Sequence, residues 1–255
     1  MIEVKNVSAG YEGKSVVNDA NVTFEEGEIT VLVGPNGCGK STLLKSVVGI
    51  VPYTAGDILI KGISTKKMSA KQMAQKVAYL AQNKKAPDIS VMKMVLHGRF
   101  AYLGYPRKYS AKDIEIAKRA IKWADLEEKS EMLVSKLSGG MQQKVYLAMA
   151  LAQDTDVILL DEPTTYLDVS HQFRLMDMVK KLAAEGKMVV MVLHDLTQAM
   201  EIADKIIVMK EGGIISQGTV EEIYKDHSLE AAFDVKIEKL QTKEGKCVWH
   251  YSRFL

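Results

Sequence analysis

An apolar strand that runs through a glycine-rich turn straight into a helix leaves a chain few folds to choose from. Ile29-Thr30-Val31-Leu32-Val33 stops at Gly34-Pro35-Asn36-Gly37-Cys38-Gly39-Lys40-Ser41-Thr42, and Leu43, Leu44, Val47 and Val48 then recur at helical spacing. The spacing predicts a buried strand, a tight loop and a helix over Lys40–Val48. The loop satisfies G-x-x-x-x-G-K-[ST] in that strand–helix context. Glycines let backbone N–H groups turn inward and approach phosphate oxygens, and the helix start aims its positive dipole end at the same anion. Lys40 brings a full charge to the β/γ-phosphates, and the Ser41 hydroxyl is suited to Mg²⁺. Gly34, Pro35, Asn36, Gly37, Cys38, Gly39, Lys40, Ser41 and Thr42 are the candidate phosphate-binding residues, with Cys38 read as a small residue in a tight loop. Such a loop alone does not choose among kinases, GTPases and ATPases.

Around it the pattern is α/β with helices in the middle third. Residues 1–7 and 14–33 are β-rich, Asp57–Ile63 reads as one strand, and Val77–Ala81 as a buried strand ending at Gln82. Ser110 with Asp113 signals a helix start of the capping-box kind, continued by Ile114, Ala117 and Ile121. Gly139-Gly140 opens a helix with Met141, Val145, Ala148, Met149 and Ala152 as its apolar stripe. Strands follow at Val157–Leu160 and Met188–Leu193, with a helix Phe173–Ala184 between them. A strand pair, Ile206–Met209 and Ile214–Ser216, turns on Glu211-Gly212-Gly213, and a short helix, Val220–Tyr224, precedes the tail.

The second half carries the acidic chemistry. Val157-Ile158-Leu159-Leu160 delivers Asp161-Glu162-Pro163 at a strand's C-terminal end, the edge at which open α/β sheets bind ligands. Asp161 suits Mg²⁺; Glu162, expected on the opposite side of the strand because side chains alternate, suits orienting or deprotonating a water. Ser138, Gly139, Gly140 and Met141 stand at a helix start and offer a second set of N–H donors for phosphate. His194 and Gln82 each close a strand at the same kind of edge.

Composition narrows the class. A chain of 255 residues that is 47% apolar and 26% charged is an ordinary globular one of one to two domains, not a disordered one. Thirty-four Lys and Arg against 32 Asp and Glu give a net +2, which offers no basis for a nucleic-acid partner. No run approaches the ~20 apolar residues of a membrane span. The first fourteen residues carry Glu3 and Lys5 and no apolar stretch, so no export signal is expected, and Cys38 and Cys247 are expected as reduced thiols.

Taken in order, Tyr11, the loop Gly34–Thr42, Gln82, Leu137–Gln143, Val157–Pro163, Leu167-Asp168 and His194 resemble the nucleotide-binding domain of an ABC transporter over roughly residues 1–220. The resemblance implies a P-loop NTPase (RecA-like) core, an antiparallel β part at the N-terminus and an inserted α-helical subdomain at about 85–153, with 221–255 as a C-terminal extension. It implies that Tyr11 stacks on adenine and that Ser41, Gln82 and Asp161 hold Mg²⁺. Glu162 and His194 would be catalytic, Asp168 the D-loop aspartate, and Ser138–Met141 a signature acting in trans. ATP would be sandwiched in a homodimer at the cytoplasmic face of the membrane. Two transmembrane permease subunits and, indirectly, an extracytoplasmic substrate-binding protein would be its partners.

A narrower likeness is to the ATPases of iron-siderophore, haem and cobalamin importers. It rests on Ala148–Thr155, Asp161–Asp168, His171-Gln172 and Val95-Leu96-His97-Gly98-Arg99. The chain departs from that group at Phe100-Ala101-Tyr102, where Pro-His often follows the Gly-Arg, and at Gln142 and Lys144, where Arg is usual. Alternatives are the ATPase of a zinc, manganese or other transporter and, against the single set of motifs, a non-transport ABC ATPase.

Overall fold

The computed structural model describes residues 1–82, 86–242, 245 and 247–253. Residue 85, where the sequence places the start of the helical insertion, lies outside them, as does the side chain of Cys247. The chain forms two compact units, Met1–Lys67 with Val179–Leu255, and Met68–Met178.

The first unit begins with an antiparallel sheet. β1 (Ile2–Tyr11) and β2 (Lys14–Phe24) are joined at Glu12–Gly13, whose φ angles of 48° and 77° are the left-handed pair a two-residue hairpin turn requires. Tyr11 therefore ends a strand, opposite Lys14. β3 (Ile29–Val33) enters the glycine-rich loop and α1 (Lys40–Val47) leaves it. β4 (Tyr53–Ile60) pairs with β1, then turns at Lys61–Gly62 into β5 (Ile63–Ser64). The single strand expected over Asp57–Ile63 is thus a hairpin, because two successive residues with φ of 49° and 75° reverse the chain and set Ile60 opposite Ile63.

The second unit holds α2 (Ala70–Lys76), β6 (Val77–Leu80), α3 (Val91–Leu96), a 3-10 turn (His97–Tyr102), α4 (Ala111–Trp123), α5 (Gly139–Ala152) and β7 (Val157–Asp161). The boundary between units falls inside α6 (Val169–Ala184). β6 and β7 run parallel, from Val77 opposite Val157 to Leu80 opposite Leu160. The Thr155 hydroxyl stitches their starts, accepting from Ala78 N and donating to Val157 O.

Helices α3, α4 and α5 share one core in which Val95, Ala117, Ile121, Val145, Ala148 and Ala152 are buried. Ser110 caps α4 with Asp113 in the reciprocal box the sequence announces. Ile114 is not on the buried face. Ile116, Ala117, Ala120 and Ile121 are, and Ile114 lies about 90° from the middle of that arc at 100° per residue. α5 is also not a single stripe: Met141 and Met149 are half-buried, whereas Gln143, Tyr146, Leu147 and Ala150 join its buried surface. α6 starts at Val169, before the expected Phe173, because the Asp168 carboxylate accepts the His171 N–H and opens the helix earlier.

The first unit resumes with β8 (Met188–Val192), α7 (Leu196–Ile202), β9 (Lys205–Lys210) and β10 (Gly213–Gly218). α8 (Val220–Lys225), α9 (Ser228–Phe233), β11 (Val235–Gln241) and β12 (Cys247–Arg253) follow. β3 runs parallel to both β8 and β9, and β10 adds antiparallel to β9. Every residue of β3 and β8 is buried, and strands covered on both faces read as near-continuous apolar runs, interrupted in these two by Thr30 alone.

Candidate nucleotide site

The loop after β3 is held by backbone from two neighbours. Gly212 N donates to Cys38 O at 3.2 Å, and Asn18 N donates to Gly212 O at 2.8 Å, so β2 and the β9–β10 turn brace it together. Gly34 passes so close to β9 that a Cβ there would stand 2.2 Å from Met209 O. Gly39, at φ 108°, adopts the left-handed conformation that begins α1. Asn36 and Gly37 face outward at the loop's crest, Pro35 is half-buried, and Cys38 and Thr42 are buried beneath. Ser41 sits half-buried in the first turn of α1.

Lys40 is only 5% exposed. A buried ammonium needs acceptors, and Nζ finds Gly34 O at 2.7 Å, Pro35 O at 2.9 Å and Cys38 Sγ at 3.8 Å. The charge is thereby held at the loop, over the helix N-terminus. β3 and β8 are in parallel register with Leu32 opposite Val192, so His194, exposed just beyond β8, leaves the sheet at the edge where the loop begins. Leu193 N donates to Leu32 O and fixes the residue before it. Tyr11, 46% exposed, stands on the β1–β2 hairpin, whose second strand presents Val16 and Val17 to Gly39.

The second unit builds the acidic edge. Asp161, the last residue of β7, is fully buried and its Oδ2 accepts from Tyr79 Oη at 3.0 Å. Glu162 lies one residue past the strand with φ 52°, so strand alternation does not place it; the left-handed turn does. Gln82 lies two residues past β6, and its Nε2 donates to Glu162 Oε2 at 2.5 Å. The parallel register that sets Leu80 opposite Leu160 brings these two together.

Ser138 occupies the N-cap position of α5; its side chain makes no cap hydrogen bond, and its carbonyl accepts from Gln142 N. Its hydroxyl is exposed beside Gly139, Gly140 and Met141 in the first turn. A Cβ on Gly140 would stand 3.1 Å from Tyr166 O, which brings the segment before α6 against the start of α5. There Asp168 Oδ1 accepts from His171 N at 2.9 Å and faces His171 Nδ1 at 2.7 Å. The backbone N–H first, then the ring, hold the Asp168 carboxyl below its ordinary range.

Sequence reasoning missed Tyr79 as the partner of Asp161, although a single hydroxyl-bearing side chain in an apolar strand is a readable signal. It also missed the buried pair of Arg99 and Asp113. Arg99 Nε meets Asp113 Oδ1 at 3.0 Å, and its Nη1 donates to the carbonyls of Ala152 and Gln153 at the end of α5. No sequence spacing pairs positions 99 and 113 across separate elements.

Among the described residues no cluster of three or more His, Cys, Asp or Glu is placed to hold a metal, and no helix is long and apolar enough to cross a membrane. Candidate ligands of the hydroxyl, amide and carboxylate types, from Ser41, Gln82 and Asp161, are hard oxygen donors of the kind Mg²⁺ takes.

The family model described as ABC transporter matches residues 17–165. The petrobactin import ATP-binding protein FpuD of Bacillus anthracis is 38% identical over 93% of this chain and 88% of its own length. The iron(3+)-hydroxamate import ATP-binding protein FhuC of Bacillus subtilis is 37% identical over 93% and 89%. Among solved structures, a dimeric bacterial ABC transporter cassette superposes with a TM-score of 0.77 at 30% identity, over 86% of this chain and 99% of that one. The α/β fold with its antiparallel part, the braced phosphate loop and these likenesses agree: the chain belongs to the ABC transporter family, as one of its ATP-binding, ATP-hydrolysing chains of P-loop NTPase fold.

Proposed function

We propose that this chain is the ATPase of an importer that takes up an iron–siderophore or related metal chelate such as haem or cobalamin, working as a homodimer on two transmembrane permeases. An extracytoplasmic substrate-binding protein would supply the cargo. The names of the two importer relatives, covering nearly the whole chain, support the cargo class. The dimeric cassette supports the pairing. Residues 1–220 would form the nucleotide-binding domain, with a helical subdomain at about 85–153, and the chain would sit peripherally on the cytoplasmic face.

The observation that carries the chemistry is the Gln82 amide on the Glu162 carboxylate. In this reading the loop Gly34–Thr42 and Lys40 bind the ATP phosphates, and Tyr11 stacks on the base. Glu162 orients the attacking water and takes its proton, held for that task by Gln82 and by the turn after β7. His194 contacts the γ-phosphate. Ser41, Gln82 and Asp161 would hold Mg²⁺, which neutralises phosphate charge. Ser138–Met141 would close on the ATP of the second copy, and Asp168 would lie at that junction.

Glu162→Gln tests this directly. The glutamine carbonyl still accepts from Gln82, but an amide is a far poorer proton acceptor. Hydrolysis should fall roughly 10²–10⁴-fold while ATP binding persists, and the variant should run as a dimer with Mg²⁺ and ATP on gel filtration. Wild-type turnover by the folded variant would remove Glu162 from the chemistry. Co-purification with a permease and uptake of a labelled ferric chelate test the cargo.

A further inference from the structure

Past β10 the first unit adds two short helices and a hairpin. α8 starts on a capping box between Thr219 and Glu222. α9 is tied to β9 by Lys210 Nζ on Ala231 O at 2.8 Å, and Glu230 Oε1 accepts from Ile237 N at 2.8 Å, fixing the start of β11. β11 and β12 pair in unbroken antiparallel register, from Val235 opposite Arg253 to Gln241 opposite Cys247.

β12 lies on α7. Thr197 Oγ1, in the first turn of that helix, donates to Trp249 O at 3.3 Å. Trp249 is buried, with its ring 4.9 Å from that of Tyr224 on α8 and Lys239 Nζ 5.1 Å from its centroid. A carbonyl on a strand clamped this way is a fixed point.

α7 is also the helix that follows His194. Asp195 Oδ1 accepts from Thr197 N at 2.8 Å and Gln198 N at 3.2 Å, so the helix begins one residue after the histidine. On the other side, Leu193 N is bonded to Leu32 O on β3. His194 thus hangs between a strand of the central sheet and the first turn of α7, and its backbone goes where that turn goes.

We infer that the C-terminal hairpin is a positioning element for His194: through the Trp249 carbonyl it holds Thr197, and through Thr197 it sets where the imidazole stands. The inference rests on the proposed contact of His194 with the γ-phosphate. Thr197 and Trp249 are positioning residues that act through the histidine. Small displacements suffice, because a misplacement of about 1 Å in a reacting constellation costs up to ~10² in rate.

The test is single-turnover hydrolysis, which resolves slow rates, alongside steady-state kcat and KM, on full-length Thr197→Val, Thr197→Ser, Trp249→Leu, His194→Ala and the double variant Thr197→Val/His194→Ala. Thr197→Val keeps the shape and removes the donor. It should lower kcat about 3–10-fold, the size of one lost hydrogen bond, with KM for ATP at the wild-type value. Thr197→Ser should restore the rate, and Trp249→Leu should lower kcat with the same unchanged KM. In the His194→Ala background, Thr197→Val should cost nothing further, the signature of two residues acting as one. Wild-type rates for Thr197→Val and Trp249→Leu while His194→Ala is impaired would overturn the positioning role alone. A full additional loss in the double variant would overturn it too, as a general weakening of the fold. Wild-type hydrolysis by His194→Ala would instead overturn the contact with γ-phosphate on which the inference stands.

Discussion

Lys40 shows how little of a candidate binding residue's setting lies in its own identity. Its ammonium is buried and satisfied by the loop's own carbonyls, so a small neutral replacement removes both a charge and a brace. Lys40→Ala is expected to abolish hydrolysis and to weaken ATP binding sharply; a filter-binding titration and a phosphate-release assay on the folded variant check both. Tyr11 separates ring from hydroxyl: Tyr11→Ala should weaken ATP by roughly 1–3 kcal/mol by analogy with base–aromatic stacking, and Tyr11→Phe should be nearly silent in calorimetry. Equal affinities for the two would exclude stacking. At this scale the sequence was most legible in the phosphate loop, because glycine, lysine and serine are each demanded by local geometry. It was least legible at Glu162, whose orientation follows from a φ of 52° that a glutamate does not advertise.

Among the elements, α4 and the end of α5 are tied together by a buried ion pair. Arg99, 6% exposed, is shared between Asp113 at the start of α4 and the last carbonyls of α5, with the Tyr102 ring 3.9 Å beneath it. Asp113→Ala leaves that guanidinium buried without its counter-ion, a change that costs about 3–5 kcal/mol, read as a lower urea midpoint at pH 7. The Ser110 hydroxyl above all, with Arg99 assisting, holds the Asp113 carboxyl below its ordinary range. Its contribution is therefore complete above the unfolded value of about 4 and fades as pH falls through the lower folded value. The gap between wild type and Asp113→Ala should narrow as pH falls below about 4; a gap that stays constant down to pH 3 would mean that the ionised carboxylate is not what stabilises. The capping box was readable from Ser110 and Asp113 alone. The hairpin at Lys61–Gly62 was not, since only the glycine signals a turn and the lysine at φ 49° reads as strand.

For the whole molecule the central expectation is that two copies share each ATP. Lys40→Ala and Ser138→Arg chains should each be inactive alone, and mixing them should restore hydrolysis, since one composite site then keeps both elements. A mixture as inactive as its components would argue for sites completed within one chain. The order of motifs made the family legible, because seven of them in sequence leave little to chance. The tail was not legible: Trp249, Tyr224 and Thr197 meet only through the fold. The Arg99 clamp also has a mechanical side. α5 spans 14 residues, gripped at its C-terminal carbonyls and carrying Ser138 at its other end. At 1.5 Å per residue that is an arm of about 21 Å, so a tilt of only ~10° at the grip swings Ser138 through roughly 4 Å. A hydrogen bond tolerates far less than that, with heavy atoms about 2.7–3.2 Å apart. A slight rotation at one end of this lever would therefore be enough to make or release the phosphate contact proposed for Ser138 at the other.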